Sequence, residues 1–160
     1  MTPQLNRTDA WFLAALTDAR KGAKAMSLWQ FANNADWVNR EIPTFDEVRF
    51  ALPRLAAAGY LTVSRDRDGR LTLKATDKAF ELRSRVRART LGDALSGFAA
   101  LVGARPFPDA EEEDRSVGPL EGFEPAEWEA AVARNAAWMD RWSRPLVAAA
   151  RLLSRRRPRG

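Results

Sequence analysis

Ile42-Pro43-Thr44-Phe45-Asp46-Glu47-Val48 opens the stretch that decides the fold. Gly59-Tyr60-Leu61-Thr62-Val63-Ser64-Arg65-Asp66-Arg67-Asp68-Gly69-Arg70-Leu71-Thr72-Leu73-Lys74 closes it. Thr44 followed three residues later by Glu47 is a reciprocal helix cap: the hydroxyl accepts from a free amide of the first turn, and the carboxylate reaches back to the cap's own N–H. Val48, Ala51, Leu52 and Leu55 then share one stripe of a 3.6-residue period, and Gly59 stands where a helix is best stopped by a residue without a Cβ. Pro53 falls inside this helix, 44–58, and deletes one of its hydrogen bonds, so a bend or a loss tolerated on the exposed face is expected. Residues 60–64 are aromatic and β-branched, Asp68-Gly69 signals a hairpin, and residues 70–74 alternate polar and apolar as a half-buried return strand does.

Upstream, Thr8-Asp9 reads as a helix start, followed by Phe12, Leu13 and Leu16 at helical spacing and closed by Arg20-Lys21-Gly22. Ser27 to Gln30 form a second reciprocal cap, followed by the stripe Leu28, Phe31, Ala32, Ala35 and Val38. That helix should end before Pro43. Downstream, Thr76-Asp77 caps a fourth helix with Ala79, Phe80, Leu82 and Val86 inward. Arg83, Arg85, Arg87 and Arg89 lie two apart, so on a helix they share no stripe and read as a solvated face. A fifth helix covers 91–104, with Leu95, Phe98, Leu101 and Val102 on one side. Residues 105–124 read as a loop carrying the acidic run 111–114, which is expected to be solvated. Pro125 suits the first turn of a last helix, with Glu127 and Glu129 complementing its dipole. Trp128, Val132, Asn135, Trp138, Met139 and Trp142 follow along one side, and Pro145 should kink or divide it. Trp11, Trp29 and Trp37 are expected in core or half-core packing. Residues 154–160 form a basic tail expected to be disordered.

The fold class expected is mainly α with a small β-hairpin (α+β), with one domain over 1–90 and a helical region over 91–160. The 160 residues include no cysteine and no histidine. That excludes disulfides, thiol nucleophiles and Cys/His zinc sites, and removes the commonest base near neutral pH. No enzyme activity, cofactor or metal is expected. No apolar run approaches the roughly 18–20 residues of a membrane span, so a cytoplasmic protein without membrane contact is expected. The net charge of +5 is uneven: residues 1–90 carry sixteen basic and ten acidic side chains, residues 91–160 ten and eleven. A positive half invites a polyanion.

The order helix, helix, helix, strand, hairpin, strand, helix resembles the winged helix-turn-helix of bacterial regulators such as the MarR and PadR families. The residues that carry the likeness are 42–48, Leu52-Pro53-Arg54-Leu55-Ala56-Ala57-Ala58-Gly59-Tyr60-Leu61, the hairpin 65–70, and Leu73-Lys74-Ala75-Thr76-Asp77-Lys78-Ala79. In those families the last piece usually reads Leu-Thr-x-x-Gly, from which this chain departs. Asn34-Ala35-Asp36-Trp37-Val38-Asn39 also resembles a group of bacterial winged-helix proteins. The resemblance implies a transcriptional regulator that binds double-stranded DNA as a homodimer, with an effector it does not specify. The third helix would enter the major groove with Thr44, Arg49 and Arg54. The hairpin would lie on the adjacent backbone or minor groove with Arg65, Arg67 and Arg70, and Lys74 would extend that surface. Asp46 and Glu47 at the front of the third helix are acidic where phosphates would come. They favour the alternative, a protein-interaction module built on the same scaffold. Trp138 and Trp142, one turn apart, would face the fifth helix in a monomer or the partner in a dimer.

Overall fold

Side-chain caps decide where the helices begin. Asn6 accepts from the Asp9 N–H at 3.0 Å, and Asp9 accepts from the Asn6 N–H at 2.8 Å. Helix α1 (Arg7–Leu16) therefore starts earlier than Thr8-Asp9 suggests. Ser27 and Gln30 make the expected cap of α2 (Leu28–Asn39), and Thr44 and Glu47 that of α3 (Phe45–Ala57). Arg40, just past α2, takes the left-handed conformation, and Gly59 does so after α3 at φ +80°. Thr76 caps α4 (Asp77–Arg85), and Thr90 with Asp93 caps α5 (Leu91–Leu101). Pro125 occupies the first position of α6 (Pro125–Arg155), where its missing N–H costs nothing. The computed structural model describes residues 3–17, 24–104 and 117–155. The expected close of the first helix at Arg20-Lys21-Gly22, the acidic run 111–114 and residues 156–160 of the basic tail lie outside the described residues; Ser154 and Arg155 close α6.

The protein is mainly helical, with a small three-stranded antiparallel sheet: an α+β fold. Strands β2 (Leu61–Arg65) and β3 (Leu71–Ala75) form the expected hairpin, in register Leu61↔Ala75 to Arg65↔Leu71. A third strand, β1 (Met26–Ser27), pairs on the other side of β3, giving the order β1-β3-β2. At two residues β1 is too short to show alternation, which is why the sequence did not announce it.

A single apolar cluster runs from Leu5 to Ala131, and the expected boundary at residue 90 separates elements that share it. Phe12 and Phe31 meet edge-to-face at its centre, with centroids 4.9 Å apart. Helix α5 lies on α1 and α2, and α6 lies on α2. The α2–α6 contact is pinned by a buried amide pair: Asn33 donates from Nδ2 to Asn135 Oδ1 at 2.8 Å. Trp11 is buried as expected and donates from Nε1 to the Ala35 carbonyl at 2.8 Å. Trp29 is half-buried under Arg134, whereas Trp37 is 46% exposed and not part of the core. Helix α6 continues through Pro145 without division.

Gly97 is where α5 receives the chain leaving α4. A Cβ there would stand 2.6 Å from Val86 Cγ1. Gly97→Ala is expected to displace Val86 and cost about 1–3 kcal/mol, measured by urea unfolding. A change below about 0.5 kcal/mol would mean that Val86 swings aside freely.

Candidate functional site

Six of the seven candidate contact residues lie at the surface, and Arg54 does not. Its side chain is 1% exposed and faces Asp9, which is fully buried; Arg54 Nε donates to Asp9 Oδ1 at 3.2 Å and to Oδ2 at 3.1 Å. Among the described residues Arg54 Nη1 has no hydrogen-bond partner. The expectation that Arg54 faces solvent is corrected: α1 covers that side of α3, and the buried carboxylate at its start holds the guanidinium. Thr44 is exposed but engaged, accepting from Glu47 N–H at 3.2 Å while Glu47 accepts from its N–H at 2.7 Å. Arg49 is half-buried, its guanidinium lying over the rings of Phe45 and Phe50.

On the hairpin, Arg65 is committed. It donates to Glu127 Oε1 at 3.1 Å, to the Gly122 carbonyl at 2.6 Å and to the Gly69 carbonyl at 2.6 Å. Arg70 pairs loosely with Asp68 at 3.7 Å. Arg67 and Lys74 are exposed and make no ion pair among the described residues. Asp66 builds the turn, its Oδ1 accepting from Asp68 N–H and Arg70 N–H, both at 2.9 Å. On this surface Arg49, Arg67, Arg70, Lys74 and Lys78 are interleaved with Asp46, Glu47, Asp66 and Asp68.

Residues 120–128 bridge α3 and the turn end of the hairpin, where Arg65 pairs with Leu71. Pro53 has no N–H to offer the Arg49 carbonyl one turn before it, and the Leu120 N–H takes that acceptor at 2.9 Å. The hydrogen bond that Pro53 deletes is thus replaced from outside, and α3 remains one helix. Phe123 is buried with its ring 5.0 Å from that of Phe45. Trp128 is buried and donates from Nε1 to the Pro43 carbonyl at 3.1 Å. The Glu127 carboxylate also accepts from the Leu71 N–H at 3.2 Å, so one side chain of α6 holds both strands of the hairpin. Nothing local in the sequence pairs Leu120 with Arg49 or Glu127 with Arg65. The unfilled acceptor behind Pro53 is the one signal that something must come to α3.

Two further features face solvent. Trp142 is 62% exposed, its ring centroid 6.0 Å from that of half-buried Trp138. Asn33 meets Asn135 and Met139; Trp37 lies about one turn beyond Asn33 on α2, and Trp142 about one turn beyond Met139 on α6. A cleft of 240 Å³ opens between Trp29, Leu71 and α6, flanked by Arg70 and Arg134. That is below the roughly 300–1,000 Å³ usual for a small-molecule site. Among the described residues no group of acidic side chains is placed to hold a metal ion, and no helix is long and apolar enough to cross a membrane. No family model, no curated protein and no solved structure matches this chain.

Proposed function

We propose that this chain is a protein-interaction module on a winged helix-turn-helix scaffold, and that its partner is a second copy of itself. The observation that carries this reading is the seating of residues 120–128 across α3 and the hairpin, with Phe123 and Trp128 each 4% exposed. The surface that would meet a DNA groove serves instead to hold a peptide segment through buried aromatic rings and main-chain hydrogen bonds. What α3 still offers outward is two carboxylates, a stacked arginine, Phe50 and Pro53, a poor set for reading base edges. The exposed indoles of Trp37 and Trp142 supply the kind of aromatic anchors on which protein interfaces are built. Light scattering at about 10 μM, a concentration at which a micromolar complex forms, is expected to give a dimer. Trp142→Glu is expected to give a folded monomer whose unfolding midpoint no longer depends on protein concentration. A monomeric parent protein rejects the reading.

A second reading, a DNA-binding regulator that uses α3 and the hairpin, is favoured by the exposure of Arg67, Arg70 and Lys74. It requires Arg67→Ala/Arg70→Ala/Lys74→Ala to lower the salt dependence of duplex binding by about 2.7 in log–log slope, at about 0.9 per phosphate contact. An unchanged slope rejects it.

A further inference from the structure

A run of positive charge in the first 90 residues also lies between α4 and α5. Helix α4 stops at Arg85, and Val86 takes φ −80°, ψ 111°, an extended conformation. Residues 86–88 are not helical, and exposure alternates: Arg85, Arg87 and Arg89 face solvent, Val86 is buried and Ala88 half-buried. A spacing of two scatters side chains around a helix but aligns them on one side of an extended chain. The arginines are solvent-exposed as expected, but the helix ends at Arg85, before Arg87 and Arg89, so the expectation that a helix scatters them is corrected. Arg85 closes α4 while Arg87 and Arg89 follow in the link, and all three lie on its exposed side.

The strap is held in place, and among the described residues its arginines meet no carboxylate within ion-pair distance. Val86 seats on Gly97 of α5, which fixes the inward side. Arg83 turns back and donates to the Val86 carbonyl at 3.3 Å. Asp93 is occupied in capping α5 with Thr90, and Glu81, one turn before Arg85, makes no ion pair with it. Among the described residues Arg85, Arg87 and Arg89 have no ion-pair partner.

We propose that Arg85, Arg87 and Arg89 form a binding site for the phosphodiester backbone of duplex DNA. All three cations are arginines, whose planar fork can hold two phosphate oxygens at once where lysine offers a point charge. Their row runs along a polymer that presents one charge per about 3.4 Å of axis on each strand. The three arginines alone offer backbone contacts, so the binding is indifferent to sequence. This site stands apart from the self-association proposed above and survives if that fails.

The test is fluorescence anisotropy of the full chain with a mixed-sequence duplex across a salt series. The parent protein is expected to bind at low salt, with affinity falling linearly in log–log form. Arg85→Ala/Arg87→Ala/Arg89→Ala is expected to reduce that slope by about 2.7 and to weaken binding at least about tenfold at the lowest salt. Arg87→Ala alone should remove about a third of the slope change. Replacing all three by Lys should keep the slope, since the charge count is kept. The proposal is overturned if the parent protein does not bind, or if the Ala variants keep the parent slope. It is also overturned if polyglutamate competes as well as unlabelled DNA, which would make the strap a site for acidic protein segments.

Discussion

Arg54→Ala is expected to lower the unfolding free energy by about 3–5 kcal/mol, the largest loss available from a single charged residue in this protein. The guanidinium is 1% exposed and its partner Asp9 wholly buried, so truncation leaves a carboxylate in apolar surroundings with its main counter-charge gone. Asp9→Ala should cost a similar amount, and about 1 kcal/mol of that comes from the lost cap at the start of α1. The double variant Asp9→Leu/Arg54→Met separates these contributions. Removing both charges lifts the desolvation cost, so most of the loss should return, short of the cap. Urea unfolding of the three variants settles the matter: a loss below about 1 kcal/mol for Arg54→Ala would mean that water reaches the pair. The orphaned Arg54 Nη1 shows that the pair is imperfect as it stands, consistent with a role in fixing how α1 crosses α3 rather than in adding net stability.

Trp128→Ala is expected to cost about 3–5 kcal/mol, as deletion of a buried indole does in a packed core. Its effect should not be confined to α6. Trp128 anchors the segment whose Leu120 N–H completes α3, so the Leu120 amide should exchange with solvent far faster in the variant. Trp128→Phe keeps the ring and removes the donor to the Pro43 carbonyl; a loss of about 1 kcal/mol is expected, with Leu120 still protected. Fast Leu120 exchange in the parent protein would contradict the close seating of residues 120–128 on α3.

What the sequence made legible was local. The caps at Ser27, Thr44 and Thr76, the Asp-Gly hairpin, the glycine after α3 and the proline opening α6 each depend on residues within a turn of one another. What it hid was pairing at a distance. Arg54 lies 45 residues from Asp9, and Arg65 lies 62 from Glu127; each was read as a free cation because its partner is not in its neighbourhood. Two of the seven residues proposed for DNA contact were lost to these pairs. The arrangement of Arg85, Arg87 and Arg89 was hidden for a different reason. The helical period was carried past Arg85, where α4 ends, and the same spacing means opposite things on either side of that point.

A nascent chain leaves the ribosome N-terminus first, so α3 is made well before Leu120 follows it. Through that interval the Arg49 and Pro43 carbonyls have no protein donor, and the ring of Phe45 lacks the cover of Phe123. Shortened translation products that stop before residue 120 would stay in that condition. They would display an adhesive seam to chaperones and proteases, one that the later-made segment 120–128 covers.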